Sequence, residues 1–279
     1  MENDQRFEAV QSSISQGDLE QAKAQVWAIT EQDPRDPYIL IKCASLLTVI
    51  EDGKGSAELL DRVMDVLPAQ EEERLSIATA MRGMGRARDS LKILDGMGSK
   101  DGRVTMEKAM ALQSLGRYQE VLQEIGTIPA LETRHLLLRA EALADLGRTD
   151  ESILELDNVI REHGKSYEAL VQKSNLLLRS GRHKEALRFA DSLVKGDKKN
   201  TDMLALKAYV MRINGKTLAA VNYAHRALKL DHTHVGALET MALCLLEKGK
   251  KTEAKIMAGA IFQKDPGNPA AFRILQSCI

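Results

Sequence analysis

Asp231-His-Thr-His234 places a carboxylate and two imidazoles in one short segment, and all three are donors that zinc accepts. A closed site needs four ligands and an open one three well-spread ligands plus water. No further ligand stands near this trio in sequence, so no metal site is expected. Cys43, Cys244 and Cys278 lie too far apart for a C-x-x-C redox or zinc pair. Their odd number and wide spacing suit reduced thiols in a cytoplasmic protein better than a disulfide framework. Gly53-Lys-Gly-Ser56 is too short to cradle a phosphate. The six histidines are scattered, and no Ser/His/Asp or Cys/His set has a strand–turn–helix context. Neither catalytic residues nor a cofactor is expected, so the chain does not read as an enzyme.

The elements that carry these residues follow from composition. The 279 residues are 44% hydrophobic, enough for a sizeable core, but only 4% aromatic, with six prolines. Abundant Ala, Leu, Glu, Lys and Arg favour helix over sheet. Lys plus Arg is 39 and Asp plus Glu is 40, a net charge of −1. Such a balance gives no global attraction to nucleic acid or to an anionic membrane. The first residues, Met-Glu-Asn-Asp-Gln-Arg-Phe7, contain no basic cluster followed by an apolar run, so no signal peptide is expected. The longest aliphatic-rich stretch, Tyr38 to Ile50, is interrupted by Lys42 and Ser45 and falls short of the ~20 residues of a membrane span.

One short phrase recurs: a glycine, a basic residue, and a small or apolar residue five positions after the glycine. It is found at Gly17, Gly85, Gly116, Gly147, Gly181, Gly215 and Gly249, with a degenerate copy at Gly53-Lys-Gly-Ser-Ala57. The steps between these glycines are 36, 32, 31, 31, 34, 34 and 34. Apolar residues recur at helical spacing on both sides. Leu204, Ala208 and Met211 precede Gly215, and Ala220, Ala224 and Ala227 follow it. Each unit therefore reads as helix, glycine turn, helix, with the glycine supplying a left-handed helix end. Asp36-Pro37 and Asn268-Pro269 mark helix starts, a capping side chain before a proline.

These residues resemble the tetratricopeptide repeat, a helix–turn–helix unit of 34 residues. The family places a small residue at unit position 8, glycine at 15, alanine at 20, a small residue at 27 and proline near 32. In Thr201–His234 these are Ala208, Gly215, Ala220 and Ala227, with His232 in place of the proline. In Val235–Asn268 they are Ala242, Gly249, Ala254, Ile261 and Pro266. Arg226-Ala-Leu-Lys-Leu-Asp231 is similar to the family's usual end of the second helix. The resemblance implies an all-α fold, a right-handed α-solenoid of about eight repeats with a C-terminal capping helix. It implies one solenoid over residues 1–279: less regular repeats in 1–102, more regular ones in 103–268, clearest from 133, and a cap in 269–279. Two central units of 31 residues, ending in Gly96-Met-Gly-Ser-Lys-Asp-Gly102 and Gly126-Thr-Ile-Pro-Ala130, require short second helices. Near residues 90–130 the superhelix should be irregular.

In this family, positions 2, 5, 9, 12 and 13 of the first helix face the concave groove. Carried over, they mark Arg103, Met106, Met110 and Gln113, then Arg134 and Glu141, then Asn175 and Arg179, then Tyr209 and Arg212, then Glu239 and Glu247. The methionines and Tyr209 suit contacts with a partner, or else fill space between repeats. A family subtype holds acidic chaperone tails with a carboxylate clamp. Its positions are Lys at 5 and Asn at 9 of one unit, Asn at 6 of the next, and Lys at 2 and Arg at 6 of the third. Here Asn175 fits, but Val171 and Leu206 break the set.

The residues after the turn glycines are Lys54, Arg86, Arg117, Arg148, Arg182, Lys216 and Lys250, with Asp18 the exception. A row of cations could meet an anionic partner, or could simply complement the C-termini of the first helices. Scarce aromatics and a balanced charge favour the second use. The expected role is a scaffold that binds a protein or peptide partner in the groove, with neither membrane nor nucleic acid. The alternatives are a nucleic-acid-associated adaptor using the basic row and a self-associating homo-oligomer.

Overall fold

The computed structural model describes residues 2–99, 101–128, 131–162 and 166–278. Every regular element among them is a helix. They fall into two compact units, Met1–Leu146 and Gly147–Ile279.

The first unit holds α1 (Glu2–Gln16), α2 (Leu19–Gln32), α3 (Pro37–Val49), α4 (Gly53–Asp65), α5 (Glu71–Gly83), α6 (Ala87–Asp95), α7 (Gly102–Ser114), α8 (Tyr118–Ile125) and α9 (Thr133–Asp145). The second holds α10 (Thr149–Glu162), α11 (Tyr167–Arg179), α12 (His183–Gly196), α13 (Thr201–Ile213), α14 (Thr217–Leu230), α15 (Val235–Glu247), α16 (Lys251–Lys264) and α17 (Pro269–Ser277). Within each unit successive helices pack on one another, except that α5 rests on α3 rather than on α4. The odd-numbered helices also touch one another: α3 on α5, α5 on α7 and α7 on α9, then α11 on α13, α13 on α15 and α15 on α17. That is the layering of an α-solenoid, with the first helices side by side in one layer. No helix among the described residues is long and apolar enough to cross a membrane.

The turns follow one pattern. Gly17, Gly85, Gly116, Gly147, Gly181, Gly215 and Gly249 all have φ between 70° and 79°. At Gly181 the Arg182 amide donates to the Leu177 carbonyl (2.8 Å) and the Gly181 amide to the Leu178 carbonyl (3.1 Å), a Schellman closure of α11.

Gly53 corrects one expectation. It is the first residue of α4, and the left-handed residue of that turn is Glu51, with φ 63°. The Asp52 amide closes onto the Leu47 carbonyl at 2.8 Å and the Glu51 amide onto the Thr48 carbonyl at 3.1 Å, the same pattern with glutamate in place of glycine. With Glu51 in register the turn spacings become 34, 34, 31, 31, 34, 34 and 34. Shortening is confined to the two central units, whose second helices, α6 and α8, have 9 and 8 residues. Lys100, Pro129 and Ala130, within the segments ending those units, lie outside the described residues, as does Ile279 beyond α17.

Small residues let the paired helices approach. Seven positions before and five after each turn residue stand Ala44/Ser56, Ala78/Ser90, Ala140/Ser152, Ser174/Ala186, Ala208/Ala220 and Ala242/Ala254, all buried. Val10/Ala22 and Ala109/Val121 are larger variants of the same pairing and are also buried. Between these columns sit the large side chains, such as Leu40, Leu59 and Ile77 in the first unit and Leu170, Leu204 and Ile261 in the second. Each contributes about 1.5–3 kcal/mol through burial.

An ionic ladder joins successive repeats. Asp95 pairs with Lys108 (3.1 Å), Asp157 with Lys173, and Asp191 with Lys207 (2.8 Å). The aspartate lies ten positions after one turn and the lysine eight before the next. The lysine stem is buried while the aspartate stays in water. Lys173 and Lys207 also sit over the rings of Phe189 (4.6 Å) and Tyr223 (4.2 Å).

Candidate functional site

The stacking of α11, α13 and α15 opens a pocket of about 280 Å³ in the second unit. Val171, Ala205, Leu206 and Leu243 give it an apolar floor, Tyr167 and Tyr209 aromatic walls, and Asn175, Glu239 and Thr240 polar groups. The Asn175 Oδ1 atom is buried without a hydrogen-bond partner. Glu239 is half-buried and is the only ionisable lining group other than the two tyrosines. Burial pushes the Tyr167 phenol up to about 12, with Asp202 and Glu239 adding to it. Tyr209 is raised mainly by burial and further by Glu239, against the pull of Arg212. Both phenols therefore stay protonated at neutral pH and can donate hydrogen bonds.

Two features hold the walls. Gly236 lets Tyr167 approach α15 closely: a methyl group there would come within 3.2 Å of the Tyr167 hydroxyl. His234 packs edge-on against Tyr167, with ring centroids 6.1 Å apart. His234 also caps α15, its Nδ1 accepting from the Ala237 amide at 3.2 Å. The proton is thus on Nε2, which donates to Asp202 at 2.9 Å. Asp231, for its part, accepts from the backbone and hydroxyl of Thr233. The Asp231-His-Thr-His234 segment is a turn and a helix cap, and no group of three metal-ligating side chains forms among the described residues. All three cysteines are free; Cys43 and Cys244 are fully buried, and burial holds the Cys43 thiol at about 11.

The predicted residues divide by position. Asn175, Tyr209 and Glu239 meet in this pocket. Arg212 lies outside the lining and is tied to Glu247 at 3.0 Å, while Glu247 also accepts from Thr217. Arg179 is exposed at the end of α11. In the first unit Arg103 is held by Asp101 (2.9 Å) and Glu72 (2.8 Å), and Arg134 by Glu132 (3.0 Å). Gln113 donates to Asp145 at 3.3 Å, and Glu141 is exposed on α9. Met106 and Met110 pack half-buried against the core around Leu112, Val121 and Leu138.

The basic row is also revised. The residue after the second turn is Asp52, not Lys54; it caps α4 by accepting from the Gly55 amide at 3.0 Å, as Asp18 caps α2 at Gln21. Where the residue is arginine it reaches an acid three positions on: Arg86 to Asp89, Arg117 to Glu120, Arg148 to Glu151 and Arg182 to Glu185. Lys250 does the same with Glu253.

Residues 137–201 match the family model described as tetratricopeptide repeat, and residues 179–260 match the one described as anaphase-promoting complex, cyclosome, subunit 3. A crystal structure of a tetratricopeptide repeat protein from Parabacteroides merdae is similar over 87% of this chain and 98% of its own, with a TM-score of 0.57 at 15% identity. YrrB, described as a TPR protein with an unusual peptide-binding site, is similar over 67% of this chain and 97% of its own, with a TM-score of 0.38 at 12% identity. The chain has the fold of a tetratricopeptide-repeat protein, and residues 137–201 match the repeat's own family model. No curated protein matches it.

In tetratricopeptide numbering the pocket consists mainly of positions 5 and 9 of three successive repeats: Val171 and Asn175, Ala205 and Tyr209, Glu239 and Leu243. These are the groove positions that the resemblance implied. Only their polar and aromatic members were marked from sequence, because an apolar side chain at helical spacing reads as core. Tyr167, Gly236 and Thr240 were missed for a different reason. They lie at positions 1, 2 and 6, and only the approach of α11 to α15 turns them toward one cavity. The carboxylate-clamp positions can now be placed. Val171, Asn175, Leu206, Gly236 and Thr240 occupy them, and all five line the pocket. None of the three cations is present.

Proposed function

We propose that this chain is a non-enzymatic scaffold that holds a partner peptide or helix against α11, α13 and α15. The observation that carries this is the pocket itself: an apolar floor, two phenol donors, and a buried amide oxygen at Asn175 with nothing to accept from. An unsatisfied buried acceptor costs about 1–3 kcal/mol, which a donor on the partner recovers. Such a surface suits a segment that brings one anchoring side chain and its own backbone N–H groups. The adaptor alternative draws little support from the turn row, whose Arg86, Arg117, Arg148, Arg182 and Lys250 are each paired with an acid. Free thiols at all three cysteines fit a cytoplasmic setting.

The test is capture of partners from native extract by the full chain and by the double variant Asn175→Ala, Tyr209→Ala. Capture should fall by at least about tenfold, since the variant removes an aromatic anchor and a hydrogen bond together. The helical circular dichroism should be unchanged. Undiminished capture would place the binding surface elsewhere.

A further inference from the structure

We propose that the pocket between α11, α13 and α15 takes a basic side chain, arginine or lysine, from a peptide partner; this rests on the reading of that groove as the binding surface. Charge complementarity carries the argument. The cavity contains one carboxylate, Glu239, and no cation. Glu239 makes no ion pair or hydrogen bond with any described residue, unlike most acidic groups on this chain's first helices; Glu107, for example, is paired with Arg82, and Glu247 with Arg212. Asn175 adds a second acceptor without a donor. An occupant that brings protons and positive charge would satisfy Glu239, and a donor within reach of Asn175 would satisfy its amide oxygen.

The remaining walls fit the rest of such a side chain. Val171, Leu206 and Leu243 offer an apolar track for a methylene stem. Tyr209 offers a ring face for a guanidinium or ammonium, as Tyr223 does for Lys207 elsewhere in this unit (4.2 Å). A volume of about 280 Å³ accommodates one long side chain and is small for a cofactor. An acidic side chain or a C-terminal carboxylate would meet Glu239 with no counter-charge in the cavity. Val171, Gly236 and Thr240 stand where an acid-binding groove of this repeat class would carry its cations.

The experiment uses the full chain and three end-capped fluorescent peptides identical except at one central position, which is arginine, norleucine or glutamate. Binding is read by anisotropy at low and physiological salt. The arginine peptide should bind at least about tenfold more tightly than the norleucine peptide, with the glutamate peptide weakest. Glu239→Gln should erase the arginine preference, and Glu239→Lys should move it to the glutamate peptide, with circular dichroism unchanged in both. No binding of the arginine peptide at low salt, equal binding of all three, or a preference that survives Glu239→Gln would each overturn the proposal. Tyr209→Ala separates the two levels of inference. If norleucine or glutamate binds best and Tyr209→Ala abolishes that binding, the groove stands and the basic anchor falls. If Tyr209→Ala changes no peptide's binding, both fall.

Discussion

Gly181→Val is expected to destabilise the chain by about 2–3 kcal/mol, more than any exposed-surface substitution. The cause is backbone strain alone. Gly181 has φ 75°, and a Cβ there would meet nothing within 4 Å, so no clash contributes. An L-residue in the left-handed region costs about 1–2 kcal/mol, and a β-branched one more. Glu51 provides an internal control, since it occupies the equivalent turn at φ 63° and already carries that strain. Glu51→Gly should therefore stabilise, by about 0.5–1 kcal/mol, the relief being partly offset by the added freedom of glycine in the unfolded chain. Guanidinium unfolding followed by circular dichroism reads both. The midpoint should fall for Gly181→Val and rise for Glu51→Gly, with little change in slope. An unchanged midpoint for Gly181→Val would mean that the turn readily adopts another conformation.

Lys207 tests what holds successive repeats together. Its side chain is 9% exposed, whereas its partner Asp191 is 45% exposed. Burial alone would lower the Lys207 pKa, but hydrogen bonds from its ammonium to Asp191 and Tyr223 outweigh this and raise it. With Asp191 half in water the Coulomb attraction is screened, so packing of the stem should dominate. Lys207→Ala is expected to cost about 2–3 kcal/mol, since it empties a buried volume beside Tyr223. Lys207→Met keeps that volume and should cost about 1 kcal/mol or less. The same denaturation measurement decides. Equal losses for Ala and Met would show that the ion pair, not the stem, joins α12 to α13.

The helix–turn–helix order was legible from sequence because its causes are local. A left-handed helix end calls for glycine, a close helix crossing calls for Ala or Ser, and a helix start shows as Asp36-Pro37 or Asn268-Pro269. Seven of the eight turns follow from glycine alone. The eighth was misplaced by two residues because the chain accepts strain at Glu51 while an unrelated glycine stands at position 53. The columns through Ala44 and Ser56 carry the true register, and the hydrogen bonds from Glu51 and Asp52 reveal it.

The candidate pocket was only partly legible. Residue type and repeat position marked Asn175, Tyr209 and Glu239, which line it. They could not separate these from Arg103, Arg134 and Arg212, which are equally polar and equally spaced along their helices. That distinction depends on neighbours 31 to 35 residues away, or in the adjoining turn, that neutralise one arginine and leave one glutamate unpaired. Local periodicity, a property of the chain's own backbone and side-chain sizes, determined the fold. Which groove residue keeps an open valence was decided only when α11, α13 and α15 came together, because pairing and burial belong to contacts between repeats and not to any one of them.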